Sequence, residues 1–137
     1  MQEDLITILK GQHAALKKEM IGLKTEAEKE TPNVAVIAGD LANFKNSLLE
    51  HLSLEDNVFY PQLIEKFKKQ NLNTDSIAIF MDEMKIIAGK VTAFLKKYEN
   101  ADNIKADLKN FRMSLYDTIS SLLIRIESEE DGVFIYW

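Results

Sequence analysis

The sequence lacks cysteine, the residue of disulfides and thiolate metal sites, and has little glycine and proline, which break helices. In 137 residues it has no cysteine, two prolines, five glycines and two histidines. Without cysteine, neither a disulfide framework nor a thiolate metal site can form, so any metal has to be bound by histidine and carboxylate groups. The scarcity of glycine and proline favours a few long helices over many short strands.

Charge and hydropathy argue against a nucleic-acid-binding protein and against a membrane protein. The 17 basic and 22 acidic residues give a net charge of -5 and are mixed along the chain, which argues against nucleic acid and anionic membranes as partners. No segment approaches the roughly 20 apolar residues that a membrane-spanning helix needs, and the N-terminus lacks the features of a secretory signal. We therefore expect a cytoplasmic protein of one domain, residues 1–137, without nucleic-acid or membrane partners.

Three clusters of turn-forming residues divide the chain into four segments. The clusters are 29–33 (KETPN), 70–75 (QNLNTD) and 99–103 (ENADN). Several polar residues in these clusters are candidate N-caps, because their side-chain oxygens can accept the free amide protons of a first helical turn. The candidates are Thr31 or Asn33, Thr74 or Asp75, and Asp102.

Each of the four segments carries apolar residues at steps of three and four, which is typical of an amphipathic helix. These apolar seams run through 9–23, 41–48, 77–98 and 108–122. Four such helices joined by short loops predict an all-α fold, an antiparallel up-down-up-down four-helix bundle. Pro61 lacks an amide proton and is expected to kink or interrupt the second helix.

Five polar side chains lie on the same seams, where leucine, isoleucine or phenylalanine would otherwise point into the bundle. They are His13, His51, Glu55, Arg125 and Glu129. A buried charge is costly unless it is paired or bound to a metal, and helical bundles build metal sites from inward-facing side chains of several helices. The seams therefore predict a polar centre in the bundle, whose groups bind either one another or a metal.

The order of these motifs resembles that of the hemerythrin-like, or HHE cation-binding, domains. His13 is followed by the stretch LLEHLSLEDNVFYP (48–61) and, near the end, by LLIRIESEEDGVF (122–134). The resemblance covers nearly the whole chain. It implies a four-helix bundle around a carboxylate-bridged di-iron centre that binds oxygen or senses oxygen, iron or redox state. The metal ligands that it implies in this sequence are His13, His51, Glu55 and Glu129.

Two positions depart from the family pattern. Met84 stands where the third helix of the family brings a histidine, and Arg125 stands four residues before Glu129, where the fourth helix brings another. A full di-iron centre is therefore not expected, although the four remaining ligands could hold one Fe or another divalent metal. A second metal would need other ligands, for which the candidates are Asp56, Glu83, Glu130 and Tyr60.

Two hypotheses follow for the function. In the first, the chain is a non-catalytic module that holds one metal, binds O2 or another small ligand there, and acts in oxygen, iron or redox sensing or in signalling. In the second, no metal binds and the bundle binds a protein partner or a second copy of itself. Arg125 then replaces the charge of the metal by pairing with Glu55 and Glu129, because a guanidinium fits a carboxylate in a bidentate manner. An enzyme is not expected, since the chain has no Glu-x-x-His pair, phosphate loop or nucleophile triad.

Overall fold

The computed structural model describes residues 4–137, and this part of the chain is helical, with no strand. Its helices are α1 (Leu5–Ala27), α2 (Val34–Leu54), α3 (Tyr60–Lys69), α4 (Asp75–Lys97), α5 (Ala101–Ala106) and α6 (Leu108–Gly132). A π-helical turn, Glu55–Phe59, joins α2 to α3, and a 3-10 turn, Phe134–Tyr136, follows α6. The backbone keeps helical angles on both sides of the π turn, so α2 and α3 form one rod.

Four long rods make up the bundle: α1, α2 with α3, α4, and α6. The first rod packs against α2 and α6, and α4 packs against α6 and, less extensively, against α2. Because rods that follow one another in the chain pack side by side and are joined by short connections, their directions alternate. The all-α, up-down-up-down bundle predicted from the sequence is confirmed. Between residues 4 and 137, no helix is both long enough and apolar enough to cross a membrane.

The structure adds one short helix to the prediction. The break expected at 99–103 is largely helical, because α5 begins at Ala101 and packs against α2 and α6. Asn100, and not Asp102, caps this helix, since the Asn100 side chain accepts a hydrogen bond from the amide of Asp102 at 2.8 Å. The buried side chain of Ile104 then ties the helix to the core.

The other two predicted N-caps have different outcomes. Asn33 accepts a hydrogen bond from the amide of Val36 at 3.2 Å and caps α2 as expected. Thr74 stands at the N-cap position of α4 but makes no capping hydrogen bond with its side chain. Instead, Asn73 accepts a hydrogen bond from the amide of Asp75 at 2.7 Å.

The interruption predicted at Pro61 is confirmed, and it takes the form of the π turn. Proline has no amide proton to donate to the carbonyl four residues earlier, so the α-helical pattern cannot continue through it. The amide of Tyr60 donates to the carbonyl of Glu55, five residues earlier, which is the π-helical pattern. With this extra residue in the turn, Glu55, Phe59 and Tyr60 are all buried. Such turns are frequent at functional sites.

The apolar core consists of two clusters with a polar layer between them. Leu16 and Leu48 belong to the larger cluster, which fills most of the bundle. Leu9 and Phe59 belong to the smaller one, which lies toward the π turn and the C-terminal 3-10 turn. Since His13 and His51 stand between these residues on their seams, the polar groups occupy the layer between the clusters. The five seam residues of this layer are all buried: His13, His51, Glu55, Arg125 and Glu129.

Candidate metal centre

Four side chains from three rods converge in the polar layer. His13 comes from α1, His51 from α2, Glu55 from the first position of the π turn, and Glu129 from the last turn of α6. All four are buried, and one possible ligand atom from each lies within 4.8 Å of those of the others. We call these four residues the ligand group. The structure thus brings together the four residues that the sequence predicts as metal ligands.

The distances within the ligand group match those of ligands around a single ion. His13 Nε2 lies 3.0 Å from His51 Nε2 and 3.4 Å from Glu129 Oε1. His51 Nε2 lies 3.2 Å from Glu55 Oε1. Ligand atoms bound to one tetrahedral or octahedral ion at roughly 2.0–2.2 Å stand about 3.0–3.5 Å apart at adjacent positions. These three contacts therefore have the spacing of adjacent ligands around one ion, and a ligand atom of each of the four residues lies within 4.8 Å of the others.

Hydrogen bonds on the outer side of the ligand group orient both imidazole rings. His13 Nδ1 lies 2.9 Å from Glu130 Oε2, and His51 Nδ1 lies 2.7 Å from Gln12 Oε1. Because carboxylate and carbonyl oxygens accept hydrogen bonds, each Nδ1 carries a proton, and Nε2 is the ring nitrogen that faces the centre. Outer acceptors of this kind orient the histidine ligands of metal sites.

The ionisable members of the ligand group have strongly shifted pKa values. Burial, reinforced by the neighbouring Glu129, raises the pKa of Glu55 far above its usual range. Burial also acts to raise the pKa of Glu129, but interactions with Glu55 and His13 outweigh it and lower that pKa. Burial and the nearby charge of His13 lower the pKa of His51 to about 4. Without metal at neutral pH, Glu55 is therefore protonated, Glu129 is ionised and His51 is neutral.

A comparison with protein families agrees with this geometry. The family model of the hemerythrin HHE cation-binding domain matches residues 4–136. The chain belongs to this family. No curated protein and no solved structure was found to match it. Hemerythrin-like domains bind metals and small ligands such as O2, and in this member the ligand group is a buried set of residues that could bind a metal.

Arg125 does not make the contacts expected in a metal-free hemerythrin-like bundle. Its guanidinium packs on Phe80, with 3.5 Å between Cζ and the ring centroid, and its Nη2 donates to the hydroxyl of Tyr60 at 3.1 Å. Tyr60 in turn donates to Glu129 Oε2 at 3.1 Å. Within residues 4–137, no carboxylate oxygen lies within 4.0 Å of the guanidinium nitrogens. The predicted direct pairing of Arg125 with Glu55 and Glu129 is wrong, because Tyr60 bridges the arginine to Glu129.

The residues expected to serve a second metal of the family centre do not converge. Met84 is buried in the apolar core, as its seam position predicts. Asp56 and Glu83 are exposed, while Glu130 and Tyr60 are hydrogen-bonded to two members of the ligand group. In the described part of the chain, the ligand group is the one set of three or more buried histidine and acidic residues. Among the described residues, no second group of ligands therefore joins the ligand group.

Sequence reasoning missed two residues of this site and gave a third another role. Gln12 was not considered, although it directly precedes His13 and accepts the hydrogen bond of His51. Phe134 closes the C-terminal motif at 122–134 but had no predicted role in the site, and it stacks on the His13 ring with centroids 5.3 Å apart and planes 12° apart. Glu130, a candidate metal ligand, is instead the outer partner of His13. Adjacency in sequence to a ligand is the signal that could have identified Gln12.

Proposed function

We propose that this hemerythrin-like chain binds one divalent transition metal ion through His13, His51, Glu55 and Glu129. The observation that carries the proposal is the convergence of four buried side chains, in which the Nε2 atoms of the two imidazole rings lie 3.0 Å apart and a possible ligand atom of each residue lies within 4.8 Å of the others. When both rings are neutral and carry their protons on Nδ1, each Nε2 has a lone pair that a cation can bind. Neutral imidazole is also the commonest metal ligand among protein side chains.

Glu55 can supply an oxygen ligand to a metal ion at this site. Its two carboxyl oxygens are buried, and in the metal-free chain burial and a hydrogen bond with Glu129 raise the pKa of this carboxyl. A metal ion would take the place of the proton, because carboxylates bind metals in their deprotonated form. A metal ion would use both imidazole nitrogens and an oxygen of each carboxylate at once. This set of nitrogen and oxygen donors suits divalent Fe, Zn, Mn and Co.

The metal-free interaction module receives less support, because it depends on Arg125. The guanidinium reaches Glu129 through the hydroxyl of Tyr60 and makes no direct ion pair with it. Glu55 is likewise without a counter-charge from Arg125 within 4.0 Å. In our proposal, a metal ion and not Arg125 is therefore the positive partner of Glu55 and Glu129.

A sensing role is consistent with where the four ligands come from. They lie on α1, on α2 with its π turn, and on α6, so a bound ion would tie three of the four rods together. Since a ligand that binds only the folded state stabilises it, metal loading should stiffen this end of the bundle. We infer a non-catalytic cytoplasmic module that senses oxygen, iron or redox state, in which a bound metal supplies the binding of O2 or another small ligand. A protein partner or a second copy of the chain would detect the change in rigidity.

The test of metal binding is elemental analysis of protein purified without added metal and then loaded with Fe2+ or Zn2+ in the absence of oxygen. We expect one ion per chain. His51→Ala and Glu129→Gln should lose the ion because each removes a ligand. Glu127→Gln is the matched control, since Glu127 is an exposed neighbour on the same helix, and it should keep the ion.

Circular dichroism of each variant separates loss of a ligand from loss of the fold. Folded His51→Ala protein that binds as much metal as the wild type would contradict the proposed site. Two ions per chain would contradict the single-ion assignment. A wild-type chain that takes up no ion would favour the metal-free interaction module.

A further inference from the structure

A pocket opens at the end of the bundle where α3, the first turns of α4 and the C-terminal 3-10 turn meet. Its volume is about 370 Å³, which lies in the range of small-molecule sites. The buried side chains of Leu63, Ile77 and Val133 line it together with those of Leu72 and Tyr136, which are about half exposed. The pocket is therefore open to solvent, and it is separate from the ligand group, none of whose members lines it.

The lining of this pocket favours an uncharged aromatic molecule. None of the residues that line it is charged, so a charged molecule would lose hydration there without gaining an ion pair. By contrast, a surface hollow of similar volume on α3 is lined by charged residues, Lys66 and Lys69 among them. Three aromatic side chains line the pocket, Phe67, Phe80 and Tyr136. Aromatic rings attract one another in offset and edge-to-face packing beyond the effect of buried area.

The volume of the pocket sets the size of the molecule. Since an apolar cavity of about 150 Å³ holds one benzene ring, a pocket of about 370 Å³ has room for two fused rings. Asn73 and Ser76 are the two lining residues with an amide or aliphatic hydroxyl side chain. Both types of side chain donate and accept hydrogen bonds, so one hydroxyl or carbonyl substituent on the rings suits this lining.

Phe80 connects the pocket with the polar layer. Its ring lines the pocket and also packs on the guanidinium of Arg125, with 3.5 Å between Cζ and the ring centroid. Arg125 donates a hydrogen bond to Tyr60, which donates one to Glu129. Energetic coupling travels through chains of packed and hydrogen-bonded side chains such as this one. A molecule that packs against Phe80 therefore restricts the ring on which Arg125 lies.

We propose that this pocket binds a neutral, planar aromatic molecule of about two fused rings, and that Phe80 transmits its presence to Arg125. The pocket is then an effector site, from which a small aromatic molecule acts on the buried polar layer. Neither part of the proposal depends on a bound metal, because the contacts that carry it are those of the metal-free chain.

The test is a titration of the full, isotope-labelled chain with β-naphthol in the presence of a metal chelator, followed by NMR of the backbone amides and of the arginine Nε–H groups. We expect saturable shifts of the amides of Ser76, Ile77 and Val133, and a shift of the Arg125 Nε–H with the same midpoint. The Nε–H of Arg112 is the internal control. It donates to a backbone carbonyl and its residue does not line the pocket, so its signal should stay in place.

A charged analogue tests the chemical class of the molecule. β-Naphthoate carries the same two rings with a carboxylate, and it should bind at least about tenfold more weakly because no charged residue lines the pocket. Equal affinity for β-naphthol and β-naphthoate would overturn the assignment of a neutral ligand.

Tyr136→Ala tests the aromatic wall. It removes one of the three rings and should weaken β-naphthol binding at least about threefold. Since the side chain of Tyr136 is 54 % exposed, the variant is expected to fold. Ile135→Ala is the matched control, because Ile135 belongs to the same turn, is 65 % exposed and does not line the pocket; it should keep wild-type affinity. Tyr136→Phe keeps the ring and should also bind as the wild type does.

Phe80→Leu tests the link to the polar layer. The variant should bind β-naphthol more weakly, and at saturation the shift of the Arg125 Nε–H should be much smaller than in the wild type. An equal shift in both proteins would overturn the role of Phe80. Should the variant not fold by circular dichroism, the wild-type titration decides, since pocket amides that shift while the Arg125 Nε–H stays in place would overturn the link.

Two outcomes would overturn the pocket itself. One is the absence of amide shifts up to the solubility limit of β-naphthol, and the other is equal affinity in folded Tyr136→Ala and in the wild type. Because the titration is made without metal, the metal site stands or falls independently of these results.

Discussion

Replacing Glu55 by glutamine is expected to stabilise the metal-free protein while it removes a metal ligand. Burial raises the pKa of Glu55 from 4.5 to about 11, so the folded chain holds this side chain protonated at neutral pH. An acid whose pKa is raised by folding contributes its full stability when the pH is below its pKa in the unfolded chain. This contribution is lost as the pH rises toward its pKa in the folded chain. Glutamine is neutral in both states and similar in shape, so the variant takes up no proton on folding.

The size of the effect follows from the interval between the working pH and the unfolded pKa. At pH 7, Glu55 of the wild type takes up a proton when the chain folds. The cost is about 1.4 kcal/mol for each pH unit above the ordinary pKa of this carboxyl, 4.5, or about 3 kcal/mol in all. Glu55 is 1 % exposed, so solvent screening does not reduce this value appreciably. Glu55→Gln should therefore raise the free energy of unfolding by up to about 3 kcal/mol at pH 7 and by close to nothing near pH 4.5.

Urea unfolding monitored by circular dichroism, with a metal chelator present and pH varied from 4.5 to 8, measures this difference. Glu50→Gln is the matched control, because Glu50 is exposed on the same rod, and its effect should stay within about 0.5 kcal/mol at every pH. Because His51 titrates in both proteins, its effect largely cancels in the difference. A Glu55→Gln effect that does not change with pH, or a variant less stable than the wild type at pH 7, would refute the assignment of Glu55 as a buried, protonated acid.

Three further predictions concern residues around the ligand group. Tyr60→Phe should lower the free energy of unfolding by about 1–3 kcal/mol, because Arg125 and Glu129 both lose a buried hydrogen-bond partner; unchanged urea unfolding would rule out this bridge. Glu130→Gln should keep one ion per chain but weaken metal affinity by about 10- to 100-fold in competition with a coloured chelator, and wild-type affinity would exclude its role in orienting the ring. Met84→Leu should keep the ion and change stability by less than about 1.5 kcal/mol, since it conserves core volume; loss of the ion would make Met84 a ligand.

The helical seams allowed the centre of the bundle to be predicted from the sequence. A side chain that takes the place of leucine on an amphipathic helix has to point inward, and antiparallel packing brings such side chains to one level. His13 and Glu129 are 116 positions apart, yet their side chains lie 3.4 Å apart. The spacing of His51 and Glu55, four residues, predicts that both lie on one face of the second predicted helix.

The partners of the Arg125 side chain could not be predicted in the same way. A seam fixes where a side chain leaves the helix, but a long, flexible arginine can reach several partners from that point. Its observed partner, Tyr60, is turned inward by the π turn, and Pro61 indicates that the helix is interrupted without specifying the form of the interruption. The contact with Phe80 depends in addition on how α4 packs against α6.

Residues beside the seams carried no periodic signal. Gln12 and Glu130 are partly buried neighbours of ligand residues, and their hydrogen bonds depend on the rotation of the imidazole rings. Residues 99–103 favour turns and therefore predict a break, but Asn100 caps the short helix α5 and the burial of Ile104 stabilises it. Tertiary packing outweighs local propensity in such short segments.

Anomalous diffraction from crystals grown with Co2+ or Zn2+ tests the metal site most directly. We predict one peak per chain, within about 2.0–2.3 Å of the Nε2 atoms of His13 and His51 and of an oxygen of each of Glu55 and Glu129. Two peaks in the bundle, a peak that none of these side chains contacts, or no peak at a saturating concentration of the ion would contradict the single-metal site.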